Sequence, residues 1–317
     1  MDKILVTGGS GFIGSFLTKE LVKRGKDVRV FDNYSRGTIN NLKNVNAEIV
    51  KGDICNKKDV QKATKDIDTI FHFAAIQGTQ NFYKKPDQVL KINLEGTLNI
   101  SESAASSGVN RLIFSSSSEA YGIPNSFPTH ENSPLMVPDI KNPRYSYGAS
   151  KIAGESICLN YGKIYGIKIG IVRYHNVYGP MMGYDHVIPQ FIIRILNNEK
   201  FTIQGDGSQT RCFCYVSDAV DGTLRTATNQ NAIGEIFNIG TQDEIKIIEV
   251  AKHLLQISGS SQKIIAVGSP EGETSRRVPD LSKAKKMLDY KPRISLINGL
   301  KTTFNWYKTD AINKKNN

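Results

Sequence analysis

The stretch Thr7-Gly-Gly-Ser-Gly-Phe-Ile-Gly14, TGGSGFIG, decides how the rest of the chain is read. It follows the apolar run Ile4-Leu5-Val6 and opens a segment with helical spacing that Gly25 stops. Gly8, Gly11 and Gly14 give a GxxGxxG spacing, with Phe12 and Ile13 in the same turn. A strand, a glycine turn and a helix start, in that order, let the backbone approach an anion closely. The helix N-terminus then supplies free amide donors and the positive end of a dipole.

Asp32 stands at the end of the next strand-like run, Asp27–Phe31, eighteen residues beyond Gly14. An acid there accepts hydrogen bonds from an adenosine ribose and repels a 2′-phosphate. Together the glycine turn and Asp32 predict dinucleotide binding, with NAD favoured over NADP; Arg36 nearby is a signal the other way. Further strand-like runs at Glu48–Lys51, Thr69–Phe73, Arg111–Phe114 and Ile167–Arg173 alternate with helical segments at Lys57–Lys65, Asp87–Ser106 and Ser150–Tyr165. This alternation predicts an α/β fold, a Rossmann-type doubly wound parallel sheet over residues 1–176. Beyond it, shorter elements with Gly-Pro and Gly-Asp-Gly punctuation predict a smaller mixed α/β domain over 177–317. Segments near 211–218 and 236–240 are expected to return to the first sheet.

Composition narrows the class. A chain of 317 residues can bury a full core as one large or two moderate domains. Hydrophobic and charged fractions of 39% and 22% are globular, and no run of about 18 apolar residues offers a membrane span. Met1-Asp2-Lys3 passes directly into a strand-like run, which predicts a cytoplasmic protein without a signal peptide. Cys55, Cys158, Cys212 and Cys214 lack the companions of a metal site and are not expected to form a disulfide framework. Cys212 and Cys214 alternate in RCFCYV, read as one strand with both thiols on one face. The net charge of +11 is scattered rather than gathered on one helix, so it predicts no nucleic-acid surface and is compatible with an anionic substrate. The tail Lys314-Lys315-Asn316-Asn317 is expected to fray.

The motifs continue in order. TGGSGFIG closely resembles the fingerprint of the extended short-chain dehydrogenase/reductase superfamily. Gly52-Asp53-Ile54 resembles its adenine-contacting segment, and His72-Phe73-Ala74-Ala75 its HxAA segment under the cofactor. Asn93 in NLEGT resembles its structural asparagine, and Tyr147-Gly-Ala-Ser-Lys151 its YxxxK. Arg173-Tyr-His-Asn-Val-Tyr-Gly-Pro180, Gly205-Asp-Gly-Ser-Gln-Thr-Arg211, Tyr215-Val-Ser-Asp218 and Arg277-Val-Pro-Asp280 resemble its nucleotide-sugar epimerases, dehydratases and decarboxylases. The resemblance implies an NAD cofactor held by Gly8, Gly11, Phe12, Ile13, Gly14, Asp32, Asn33, Asp53, Ile54, Phe73, Ala74, Ala75, Asn93, Ser115, Tyr147 and Lys151. It implies a nucleotide-diphosphate sugar held by Gln77, Ser118, Asn176, Arg211 and Arg277. It also implies a homodimer in which Asp87–Ser106 and Ser150–Tyr165 form a four-helix bundle, with no membrane partner.

YxxxK puts Tyr147 and Lys151 on one helical face. A tyrosine ordinarily titrates at about 10, and a nearby ammonium and a positive nicotinamide both favour the phenolate. Tyr147 is therefore the candidate base that takes a hydroxyl proton while the same carbon is oxidised. The resemblance gives Ser117 the third catalytic place. Glu119, in SSSSEAYG, departs from the simple 4-epimerases and resembles the 4,6-dehydratases and glucuronate decarboxylases. Many dehydratases carry an aspartate just before it, where this chain has Ser118. A carboxylate there can abstract the C5 proton of a 4-keto sugar. Epimerisation and dehydration are the leading expectations. Decarboxylation, or a catalytically silent NAD-binding sensor or scaffold, are the alternatives. Glu271-Gly-Glu-Thr-Ser-Arg276 does not separate them. His175 either lines the sugar pocket or packs in the core, Asp218 either meets substrate or orients a strand, and Gln77–Tyr83 is expected to loop over the sugar.

Overall fold

The computed structural model describes residues 3–268 and 274–315, so Glu271, Gly272, Glu273, Asn316 and Asn317 lie outside the described residues. The strands β1 (Lys3–Thr7), β2 (Asp27–Asp32), β3 (Glu48–Lys51), β4 (Thr69–His72), β5 (Arg111–Ser117) and β6 (Lys168–Tyr174) build one parallel sheet. Glu235–Ile239 completes it beside β6, and the order runs Glu235–Ile239, β6, β5, β4, β1, β2, β3. The central strands are apolar runs because both faces are covered. Leu5, Ile70, Leu112 and Phe114 are buried toward one side. Ile4, Val6, Val30 and Ile113 alternate to the other.

The helices α1 (Phe12–Lys23), α2 (Lys57–Thr64), α3 (Thr79–Lys84), α4 (Pro86–Ser106) and α5 (Ser146–Tyr165) connect these strands. Ile100 and Ala104 of α4 and Cys158 of α5 pack on the first side; Leu17 and Leu21 of α1 pack on the second with Val220 and Leu224 of the helix Val216–Thr228. The strand order reverses between β1 and β4, which opens a crevice at their carboxyl ends.

The second half has its own core, with Tyr178, Phe191, Phe201, Phe213, Leu254 and Phe304 among its buried residues. Of the two expected returning segments, 236–240 supplies the edge strand, but 211–218 does not enter the parallel sheet. Thr210–Cys212 lies between Glu244–Lys246 and Arg276–Arg277, and Cys214–Tyr215 pairs with Val177–Tyr178. The chain reaches the large sheet only as the helix Val216–Thr228, which covers it. Cys212 and Cys214 therefore sit in two different small sheets, because the ladder breaks at Phe213. Lys314 and Lys315 continue the helix Leu296–Lys315 where fraying was expected. Among the described residues, no helix is long and apolar enough to cross a membrane, and no cluster of three metal-ligating side chains forms. The four cysteines are free thiols.

Candidate active site

One cavity of about 870 Å³ runs from the Gly8–Gly14 turn past Tyr147 to Arg211. Its first end is made by backbone. Gly8 has φ +68°, and a Cβ added there would lie 2.8 Å from the Ala74 nitrogen. A Cβ at Gly14 would lie 2.2 Å from the Gly8 carbonyl oxygen. Only glycine lets the turn close this tightly over the start of α1, so the N-terminal amides of that helix open into the crevice. Asp32 fixes the turn: its carboxylate accepts from the Ser10 amide at 2.9 Å and the Tyr34 amide at 2.8 Å. This cradle fits the pyrophosphate and ribose of a dinucleotide. Asn33 donates to Asp53 at 2.9 Å and lines the cavity with Ile54, while Asp53 caps the Cys55 amide outside it. Phe12, Ile13, Phe73, Ala74 and Ala75 also line the cavity.

Beneath it, Thr7 accepts the amides of Phe73 and Ala74 at 3.1 and 3.2 Å and meets His72 Nδ1 at 2.8 Å. Burial, and then the Lys151 charge, push His72 down to about 3, so it is a neutral brace. Asn93 does not line the cavity. Its amide brackets both backbone groups of Ile76 and donates to Ser150, which ties α4 to α5. It therefore shapes the cofactor floor without touching its surface.

The middle of the cavity holds the proton-transfer groups. Asn142 caps the turn Pro143–Tyr145, so α5 begins at Ser146, earlier than the expected Ser150. Tyr147 is thus in its first turn, one turn before Lys151. Gly148 permits the contact below: a Cβ there would lie 2.6 Å from the Glu119 carbonyl oxygen. Lys151 donates to the Ser115 carbonyl at 2.7 Å, and its ammonium lies 5.5 Å from the Tyr147 ring centre. Burial lowers Lys151 to about 8. Burial, with Glu119 adding its charge, raises the Tyr147 phenol well above its usual value, and a hydrogen bond from Ser117 pulls it back. Ser115 itself donates to the His72 carbonyl at 2.9 Å.

Glu119 follows β5 and faces the sugar end. Arg277 meets its carboxylate at 3.0 Å from behind, and Arg144 meets both oxygens at 3.3 Å from the cavity side. Burial alone would raise this carboxyl, but Arg277, Arg144 and then Arg211 overcome it and hold the group below its usual value. Arg277 does not line the cavity. It is buried on the carbonyls of Ser118 and Gly122 and on Thr274, behind Glu119 as seen from the cavity. Gln77, Ser118, Asn176 and Arg211 do line it. Asn176 has φ +40°, and its buried side-chain nitrogen has no hydrogen-bond partner among the described residues, which leaves a donor for a ligand. His175 is a packed histidine: it meets Asn238 at 3.0 Å, and burial pushes it down to about 3. Asp218 accepts the Ile294 amide at 3.0 Å, an orienting role away from the crevice.

Arg144 and Phe82 were not singled out from the sequence. Arg144 could have been: a charged residue just ahead of the YxxxK tyrosine must lie near it. Phe82 gave no such signal within QGTQNFY, a segment that forms α3 rather than an open loop.

Residues 4–240 match the NAD-dependent epimerase/dehydratase family. A UDP-N-acetyl-α-D-glucosaminuronate decarboxylase of Bacillus cytotoxicus is 39% identical over 317 residues, covering 96% of this chain and 98% of the relative. The UDP-glucose 4-epimerase of Thermotoga maritima, solved with UDP-glucose, superimposes with a TM-score of 0.90 at 32% identity, over 98% of this chain and 99% of that one. The UDP-glucuronic acid 4-epimerase of Bacillus cereus, solved with UDP-glucuronic acid and NAD, gives 0.89 at 33% identity, over 97% and 99%. A match that starts in β1 and runs through the edge strand of the parallel sheet spans both ends of the crevice, and on it the chain belongs to the NAD-dependent epimerase/dehydratase family of nucleotide-sugar-modifying enzymes.

Proposed function

We propose that the protein decarboxylates a UDP-linked sugar uronate through a 4-keto intermediate. The observation that carries this reading is the clamped state of Glu119 beside Tyr147. Dehydration needs a base at C5, and a carboxylate held below its usual range by two guanidinium groups is a weak one. Decarboxylation needs no base there. The clamp also leaves the sugar end net positive, since Arg144, Arg211 and Arg277 face one carboxylate. Arg144 lines the cavity, which supports a contact between its guanidinium and a carboxylate on the sugar.

NAD, held by the Gly8–Gly14 turn and Asp32, supplies reversible oxidation at the sugar C4 when bound. Tyr147 takes the C4 hydroxyl proton, with Ser117 hydrogen-bonded to the phenol. Lys151 Nζ lies 5.5 Å from the ring centre, where its positive charge would act for the phenolate and against the burial that raises the phenol. The C4 ketone stands β to the C6 carboxylate. The C5–C6 bond breaks with its electron pair flowing to O4, and carbon dioxide leaves. Tyr147 and Ser117 stabilise the enolate oxygen that results. C5 would then take a proton from solvent; the hydride held by the reduced cofactor would return to C4, and Tyr147 would give its proton back to O4.

The similarity to a uronate decarboxylase and to a UDP-glucuronic acid epimerase supports an acidic sugar. Epimerisation is the second reading, favoured by the same observation: it too needs no base at C5. The test is incubation with UDP-glucuronic acid, UDP-N-acetylglucosaminuronic acid, UDP-glucose, UDP-N-acetylglucosamine and dTDP-glucose, followed by mass spectrometry and anomeric NMR. Loss of carbon dioxide from a uronate supports decarboxylation. Loss of water returns Glu119 to the role of base. Unchanged mass with a new anomeric signal makes the protein an epimerase.

A further inference from the structure

Helix α3 enters the site from the segment after β4. Gly78, with φ +111°, turns the chain into it, and Asn81 closes the turn on the Gln77 carbonyl at 2.9 Å. Phe82 is 5% exposed and lines the cavity. Its ring is stacked on the Tyr147 ring, with centres 5.1 Å apart and planes 13° from parallel. The Arg144 guanidinium lies 5.7 Å from the centre of the same ring. One aromatic side chain therefore touches both the proton-transfer tyrosine and the cavity-side arm of the Glu119 clamp.

We propose that Phe82 is a positioning residue, whose ring sets the orientation of Tyr147 and Arg144 together and so aims the phenol and the charge clamp at one sugar. The inference rests on the reading of Tyr147 as the proton-transfer group. Stacked rings and a cation over an aromatic face each fix relative orientation, and here they share one ring. Tyr147 has two side-chain torsions, and a ring lying flat against it restricts both. The same stack covers one face of the Tyr147 ring. Arg36 ties the start of this helix to the rest of the site, donating to the Gln77 carbonyl and to Asp185.

The charged groups around the phenol come from several elements. Glu119 follows β5, Lys151 lies on α5, Arg36 follows β2 and Arg144 precedes α5. Removing the Phe82 ring changes none of these charges but admits water. Burial is the largest influence holding the phenol high, so hydration lowers its titration.

The test titrates Tyr147 in the NAD complex by NMR of ring-carbon-labelled tyrosine, assigned with Tyr147→Phe, for the wild type, Phe82→Ala, Phe82→Leu and Phe82→Tyr. Turnover of the sugar nucleotide found in the panel is followed in parallel. Phe82→Ala is expected to move the Tyr147 titration down by about one pH unit. It should also lower kcat by about tenfold with KM little changed. Phe82→Tyr, which keeps a ring in place, should restore both. A Tyr147 titration that does not move in Phe82→Ala overturns the proposal, and so does a kcat loss that Phe82→Tyr leaves unrelieved. If Phe82→Ala does not fold, Phe82→Leu carries the same comparison, because it keeps apolar bulk and loses the stack. A wild type that converts no member of the panel defeats the proposed function, while the Tyr147 titration still decides the role of Phe82.

Discussion

At the cofactor end of the crevice, Gly8, Gly14 and Asp32 lie within one β–α–β unit and act largely through backbone. At the sugar end, Glu119, Arg144, Arg211 and Arg277 come from four separate segments and act through side-chain charge. The first end is a shape that admits no substitute atom at its tightest point. The second is a balance of charges that a change of one partner tips without collapsing the fold. Substitutions should therefore separate the two ends by what they cost: lost cofactor at one, altered turnover and pH response at the other.

The largest effect is expected where the ends meet. Tyr147→Phe should keep NAD, because the cradle is untouched, and lower turnover by about 10²- to 10⁴-fold. Turnover and the NAD carried through gel filtration measure the two halves of this statement. If cofactor is lost in proportion to activity, Tyr147 belongs to the cofactor end. Gly14→Ala should act in the opposite sense. Its Cβ would fall 2.2 Å from the Gly8 carbonyl oxygen, a collision with backbone that no side-chain rotation relieves. We expect destabilisation of about 1–3 kcal/mol, read from thermal melts, together with loss of retained NAD.

The same contrast explains what could be read from the sequence. The cradle was legible because a strand, glycines at fixed spacing and a helix start are consecutive, and backbone chemistry follows from them. Strands β1 to β6 were legible as apolar runs. The extension of β5 through Ser115–Ser117 was not, since the apolar run stops at Phe114, while Val172–Tyr174 on β6 hold the serines in the ladder. The Glu119 clamp was not legible because Arg277 lies 158 residues away and no local pattern announces the pairing. Arg277 was expected on the diphosphate; it is buried behind Glu119 and is not among the residues that line the cavity. RCFCYV looked like one strand, and only tertiary pairing divides it at Phe213.

Glu119→Gln sharpens the sugar end. It leaves buried Arg277 with an uncharged partner and should cost about 1–3 kcal/mol at neutral pH, with NAD content unchanged. The pH response has a definite sign. Because the folded carboxyl lies below its usual value of about 4.5, its stabilising contribution is complete above that value. It fades as pH falls through the depressed folded value. The difference in melting temperature between wild type and Glu119→Gln should therefore narrow on acidification. A difference that stays constant down the acid range would show that the arginines do not depend on the Glu119 charge.

The smallest effect probes a contact that reaches from the loop after β2 to the segment carrying Asp185. Arg36, from the loop after β2, meets Asp185 at 3.2 Å, and both side chains are nearly one-third exposed. Such a pair contributes about 0.5 kcal/mol and is weakened by salt. Asp185→Asn should raise the rate of NAD release by about two- to threefold at low ionic strength, since that energy is worth roughly this factor. The difference should vanish at high salt, with kcat unchanged. Arg36 keeps its bond to the Gln77 carbonyl in this variant, so α3 stays anchored while the tie to Asp185 is lost. Equal release rates at every salt concentration would mean that the cradle alone retains the cofactor. A fall in kcat would mean that the clasp also serves the stack of Phe82 on Tyr147, and that the backbone-built and charge-built ends are coupled through α3.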